Sequence, residues 1–451
     1  MKRKWLAMLL ALFVGCSGVA FVSCADEHLG QGSGGVSESG VSNSNESESD
    51  TFESGSNEDL EETDVDLFTF TLLSNDSYEL TKYNGEESVV VIPATYENKP
   101  VTTIGEGAFS KCYNLTRVVI PNSVISMGND AFFSCINLSK IGIGSSLAII
   151  GEYALSDCPL SEIVVDDNNA VYKVVHGNLY TKDGKTLVQY AIGKSNSSFV
   201  IPDRVATIAD NAFRGAKNLT EIVIPDSVTT IGSAAFYCCY NLTKVTIPDS
   251  VTAIRSGTYG LFESCSGLVN VNIGNGVTSI GDSTFSGCRN LSCVTIGAVV
   301  NFIATGAFWD CTSLTEIIVN EQNTHYKSVD GNLYTKDGKT LLQYATGKST
   351  AVFAIPDDVT KIGGGAFKSC KNLTEVLIPA SVATICEEAF FFCDGLTKIV
   401  IPATVETVEF SAFRGCGNLH IYCEVERAPY GWDSNWNYSN NSSVTWGYMG
   451  E

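Results

Sequence analysis

From about residue 100 the apolar positions of the chain recur every 23 residues. Aligned on Ala-Phe-x-x-Cys-x-x-Leu-x-x-Ile-x-Ile-Pro-x-x-Val-x-x-Ile-Gly, an anchor side chain falls at Phe109, Phe132, Leu155, Phe213, Phe236, Phe262, Phe285, Phe308, Phe367, Phe390 and Phe413. Seven of the intervals are 23 residues, one is 26, and two are 58 or 59. A fixed period of this length is the mark of a solenoid, in which one unit cannot bury its own apolar face and stacked neighbours do so for it. Within each unit the run Leu-x-x-Ile-x-Ile-Pro, as at residues 219–225, alternates with period two and is rich in β-branched side chains, which predicts a strand. The proline that follows has no N–H and ends pairing, and the Gly-rich remainder turns the chain back. Successive strands then lie parallel, about 4.8 Å apart. The predicted fold is a β-rich solenoid of 23-residue coils over residues 100–423, with one parallel strand per coil.

Both long intervals hold the same insert. Residues 172–190 recur at 326–344 with three substitutions, so a long segment has been duplicated, insert included. Two short apolar runs flank Lys182-Asp-Gly-Lys185, and Asp-Gly supplies a tight turn, so the inserts, near 166–200 and 320–354, read as β-hairpins that project from one edge or widen a coil. Residues 67–99 and 424–451 lack anchors and read as caps over the terminal coils, which would otherwise expose core and strand edges. The second cap holds Trp432, Trp436 and Trp446, and a carbohydrate platform is the functional alternative to a covering role.

Charge adds a further boundary. The net charge is −22, yet residues 25–66 hold 13 acidic groups and no Lys or Arg. That Ser/Gly/Asn/Glu-rich stretch cannot bury enough surface to offset its ordering entropy and reads as a disordered acidic spacer. The acidic balance also argues against nucleic acid as a partner. Ahead of the spacer, Met1-Lys-Arg-Lys4 and an apolar run ending at Ser23-Cys24-Ala25 resemble a bacterial lipoprotein signal peptide over residues 1–24. The resemblance implies lipidation of Cys24, with Cys16 a competing acceptor and simple cleavage the alternative. The membrane would then be engaged through the N-terminal lipid alone, with the body displayed at the cell surface or outer envelope, or released outside the cell if the signal is only cleaved.

The Leu-x-x-Ile-x-Ile core resembles that of leucine-rich repeats, and the fuller Ile-Gly-x-x-Ala-Phe-x-x-Cys-x-x-Leu form is similar to the BspA-like branch of bacterial surface leucine-rich repeat proteins. The hairpin insert and the Trp-rich ending resemble segments of the same group, over roughly residues 67–450. The resemblance implies a surface protein that adheres to host proteins, other bacteria or epithelial cells.

The cysteines follow the repeat. Ten of the sixteen stand three residues after an anchor: Cys112, Cys135, Cys158, Cys239, Cys265, Cys288, Cys311, Cys370, Cys393 and Cys416, with Ala216 in the eleventh place. Substitution by Ala favours a small buried apolar role over chemistry, and a ladder along a stack does not converge on a metal. A disulfide reading has a warrant in export, but parallel side-chain vectors suit it poorly. Cys293 falls on an outward strand position and is expected as an exposed thiol. Asp166-Asp-Asn-Asn169 hints at calcium, yet its duplicate Asn320-Glu-Gln-Asn323 has fewer carboxylates and no Asp-x-Gly ligand loop follows. The four His show no ligand or catalytic spacing, and neither a nucleophile elbow, a P-loop nor a zinc-protease helix is present. No enzymatic role, cofactor or metal is expected.

Binding is expected on the outward strand positions. Arg117, Lys140, Lys244, Glu316 and Lys398 form one row, and Val119, Val223, Ile318, Leu377 and Val400 form an apolar stripe beside it, unusual for an exposed sheet unless covered or used. The function read from the sequence is a surface-anchored, monomeric binding rod whose ligand is a protein or extracellular-matrix component. The alternative is a passive coat protein.

Overall fold

The structure is a computed structural model and describes residues 60–438 and 443–450, all within the second of two compact units, Gly55–Glu451. The signal segment with Cys16 and Cys24, and the spacer as far as residue 59, lie outside the described residues. Residues 60–66, assigned to the spacer by composition, are held to the body. Thr63 N–H donates to the Val91 carbonyl at 3.0 Å, its hydroxyl accepts from Val91 N–H at 2.9 Å, and Glu62 accepts from Ala94 N–H at 2.9 Å. These bonds cover the free edge of the first coil's strand.

The body is a β-solenoid with a single 3-10 turn, Val65–Leu67, among the described residues and otherwise strands and turns. Each regular coil contributes two strands, where the sequence pattern indicated one. The longer is the predicted Ile-x-Ile run, such as Lys244–Ile247. The shorter spans two residues before or within Ile-Gly, such as Thr207–Ile208 and Thr230–Ile231, which pair in parallel with one another. Two residues are too few to show alternation, so this second row left no signal of its own. The glycine after it has a geometric cause. A Cβ on Gly151 would lie 2.5 Å from Asn129 N, and one on Gly128 2.7 Å from Glu106 N, so consecutive coils can close here only without a side chain.

The anchors build the core. Phe213, Phe236, Phe262, Phe285 and Phe308 stack ring on ring at centroid separations of 5.1 to 5.7 Å, and Phe367, Phe390 and Phe413 do the same at 4.8 and 5.0 Å. Two residues past every anchor the chain takes a left-handed conformation, from Lys111 (φ 62°) to Gly415 (φ 81°), and only three of these eleven positions are glycine. That turn aims the anchor inward and returns the chain for the next strand, at a conformational cost the stacked core has to offset.

The ladder cysteines sit beside the anchors, and every described cysteine is a free thiol. Eight of the ten donate to the carbonyl of the preceding coil's anchor at 2.9 to 3.1 Å, among them Cys135 to Phe109, Cys265 to Phe236 and Cys416 to Phe390. Cys112, in the first anchored coil, is only half-buried. In the coil after each insert the equivalent carbonyl, Tyr190 or Tyr344, accepts instead from Nε2 of Gln189 (3.0 Å) or Gln343 (2.8 Å). Ala216 stands in one of these coils, so the thiol is absent where its acceptor is already engaged.

Each insert is three-stranded. Tyr172–Val175, Asn178–Thr181 and Thr186–Gln189 pair antiparallel, and the last then pairs in parallel with Thr207–Ile208. The insert therefore enters the short row, where its Tyr190 takes an anchor's place against Phe213 at 5.1 Å. Tyr344 does the same against Phe367 at 5.3 Å. The long row is broken at both inserts into sheets of four, six and five strands. The core divides at the same two places into three clusters.

Asn169 and Asn323 pin the insert entrances. Asn323 donates to the Gly297 and Val300 carbonyls at 3.0 and 2.9 Å and accepts from His325 and Tyr326 N–H at 2.9 and 2.8 Å; Asn169 makes the same four bonds in the first insert. The acidic run at 166–169 is thus a turn built around a satisfied amide, and no cluster of metal-ligating side chains occurs among the described residues.

Candidate interaction surface

The outward positions of the long row stand in register across each sheet. In the first, Val89, Arg117, Lys140 and Glu162 are lateral neighbours, with Val91, Val119, Gly142 and Val164 two residues on. Arg117 and Val119 are half-buried, whereas Lys140 is exposed and pairs with Glu162 at 2.7 Å. In the third sheet Lys398 pairs with Glu375 at 3.3 Å, and this carboxylate raises the lysine's pKa through its hydrogen bond and charge. Exposed pairs of this kind contribute little to stability, so the charged row mainly sets the polarity of the face.

The apolar positions do not form one stripe. Val200, 63% exposed, lies beside Val223, 45% exposed, in the second sheet, and Lys244, Thr246 and Asn272 continue the face in polar form. Ile318 and Glu316 are half-buried on that sheet's last strand. There the second insert's turn folds over them, with Ile317 N–H donating to the Gly331 carbonyl at 2.9 Å and Ser328 Oγ donating to the Ile317 carbonyl. In the third sheet Leu377, 47% exposed, lies between Ala354 and the strand of half-buried Val400, whose lateral neighbour is Tyr422. The inserts thus cut the predicted stripe into separate patches, centred on Val200 with Val223 and on Ala354 with Leu377.

The strands Ser198–Val200 and Val352–Ala354 lack anchors and escaped the repeat alignment. The Ile-Pro that ends both, at Ile201-Pro202 and Ile355-Pro356, was the signal that could have found them. Likewise His420 and Tyr422 occupy outward positions of the last regular strand and stack at 4.2 Å, with Tyr448 4.7 Å beyond.

Two expectations are corrected here. Cys293 is on the outward row between Asn270 and Glu316, but it is 5% exposed, covered where the longer flanking side chains lie over it. Trp432 and Trp436 are buried against the last coil, and Trp432 Nε1 donates to the Val405 carbonyl at 3.1 Å, so these two rings are packed surface and not a sugar platform.

The chain is similar to a leucine-rich cell surface protein from Faecalibacterium prausnitzii, at 26% identity over 85% of this chain and 98% of the other, with a TM-score of 0.41. It is also similar to a leucine-rich repeat protein from Bacteroides ovatus (22% identity, 86% and 100% covered, TM-score 0.44) and to the pneumococcal vaccine antigen PcpA (16%, 84% and 83%, 0.36). No protein of curated function matches it. The model of the BspA type leucine-rich repeat region matches residues 97–174, 189–315 and 344–423 in six copies, leaving out most of both inserts. With these repeats covering more than half its length, and with coils that stack as the repeat demands, the chain belongs to the BspA-type leucine-rich repeat family.

Proposed function

We propose that this protein is a surface-displayed adhesion module that binds a protein partner through the long-row strand face, tethered through a lipid on Cys24 and the acidic spacer. The observation that carries this reading is the pair of exposed aliphatic patches, Val200 with Val223 and Ala354 with Leu377, set laterally on regular sheets beside charged rows. Apolar side chains left open on a flat parallel sheet invite unwanted association unless a partner covers them, and both patches keep the bordering charges that direct register. Sheet rigidity further favours binding, since little order has to be imposed on docking.

The test is a variant carrying Val223→Asp, Ile318→Asp and Leu377→Asp, compared with the unaltered chain for binding to immobilised extracellular-matrix proteins and to bacterial cells. Binding should fall at least tenfold while the thermal transition is kept. Undiminished binding by the folded variant rejects the strand face as the contact. No saturable binding by either form supports the coat-protein reading.

A further inference from the structure

The two inserts are near copies, but the joints they make are not alike, and the difference opens a cavity. Where a regular coil would follow Leu155, the insert supplies only the short-row strand Thr186–Gln189 and no projecting Gly-x-x-Ala loop. The loops 150–156 and 209–211 therefore face each other across a gap of about 260 Å³, lined also by Tyr172, Thr181, Val188, Gln189 and Arg255.

In the second joint an indole occupies the corresponding place. Trp309 follows its anchor directly, as Ser156 follows Leu155 in the first joint. Its ring lies against glycines where the first joint has larger residues. A Cβ on Gly306, the counterpart of Tyr153, or on Gly365, the counterpart of Asn211, would meet that ring at 3.2 Å. Lys368 closes over it, 3.2 Å from the ring centroid, and pairs with Glu388 at 2.8 Å. The first joint has Ser156 instead of the indole, and the counterpart of Lys368, Arg214, is drawn aside to Asp157 (3.4 Å) and to the ring of Tyr237 (4.3 Å).

The open joint is polar in a particular way. Asn211 is 6% exposed, and its Oδ1 has no hydrogen-bond partner, a costly state for a buried acceptor. Around it stand Asp210, whose Oδ1 accepts from Ser233 N–H at 2.8 Å and whose Oδ2 lies 3.7 Å from Arg255 Nη1, and the exposed carboxylate of Glu152 at the mouth. Tyr153 adds a half-buried aromatic ring, and Ile150 and Val188 an aliphatic wall. Two carboxylates against one guanidinium disfavour an anion. The volume falls below the range of about 300–1,000 Å³ that holds drug-sized ligands. Planar amide, carboxylate and guanidinium groups suit adjacent hydroxyls that both donate and accept, and the ring and aliphatic wall suit a sugar's C–H face.

We propose that the first joint is a binding site for one hexose unit of a neutral saccharide, with a ring hydroxyl donating to Asn211 Oδ1. It is separate from the strand face.

Saturation-transfer NMR on the whole chain with glucose, galactose, mannose, N-acetylglucosamine and N-acetylgalactosamine tests this. At least one should give a saturable signal. Ser156→Trp, which rebuilds the indole of the second joint, should abolish it, and Arg255→Ala, a surface change, should weaken it at least tenfold. Val223→Asp should leave it intact. Absence of any saturable signal from the five sugars overturns the proposal, as does a signal that survives both Arg255→Ala and a folded Ser156→Trp.

Discussion

A cysteine in this protein reports its coil more than its chemistry. Cys370, 1% exposed, has its thiol pushed up from the ordinary value near 9 to about 11 by burial, and Cys423 rises to about 12 for the same reason. The direction fixes a pH dependence. Above pH 9 the unfolded chain releases a proton that folded Cys370 keeps, so stability is whole below pH 9 and falls as pH rises toward 11. That one thiol costs up to about 1.4 kcal/mol per pH unit in this window. Urea unfolding at pH 7 and at pH 10.5 should show the loss, and Cys370→Ala should reduce its slope. The same burial makes the ladder slow to alkylate in the folded chain, since the thiolate is the reactive form.

At the scale of elements, the insert depends on one amide more than on its hairpin. Replacing Asn323 by Ala leaves two carbonyls and two N–H groups without partners in a fully buried site, and should cost at least about 2 kcal/mol in urea denaturation. Asn320→Ala, on the exposed side of the same turn, should change it by less than about 0.5 kcal/mol. The contrast shows what a sequence makes legible. The anchors, the ladder thiols and the Ile-x-Ile strands were readable because each repeats in one environment, so pattern and burial coincide. Asn169 and Asn323 occur once per duplicate, and an acidic-looking run hid an amide staple. The two-residue strands carry no period, and the insert's place in the short row follows from tertiary pairing of Thr186 with Thr207. Cys293 was misread because alternation gives a side chain's direction and not what its neighbours cover. The cavity is the least legible feature, since it arises from a loop that is missing and a Trp that became Ser156.

Across the unit Gly55–Glu451, the three core clusters meet at the inserts and are each continuous between them. Stability in a stack is a sum of coil terms and neighbour contacts, so the joints are where cooperativity is most easily lost. They are also where the chain reads the same twice: Thr-Leu-Val-Gln189 precedes Tyr190-Ala as Thr-Leu-Leu-Gln343 precedes Tyr344-Ala. Both Tyr190 and Tyr344 receive the next anchor ring in the same way, and Lys194 and Lys348 each reach back to the carbonyl of His176 or Asp330. Joining Gln189 directly to Tyr344 should therefore yield a shorter chain that folds with a cooperative thermal transition, while a deletion about half a coil longer should aggregate. Circular dichroism and light scattering would distinguish them. A gene that recombines between its two copies of this stretch changes the protein's length by a whole module without making an untried joint. The insert is thus a safe crossover point, through which a lineage can lengthen or shorten its reach while every product remains foldable.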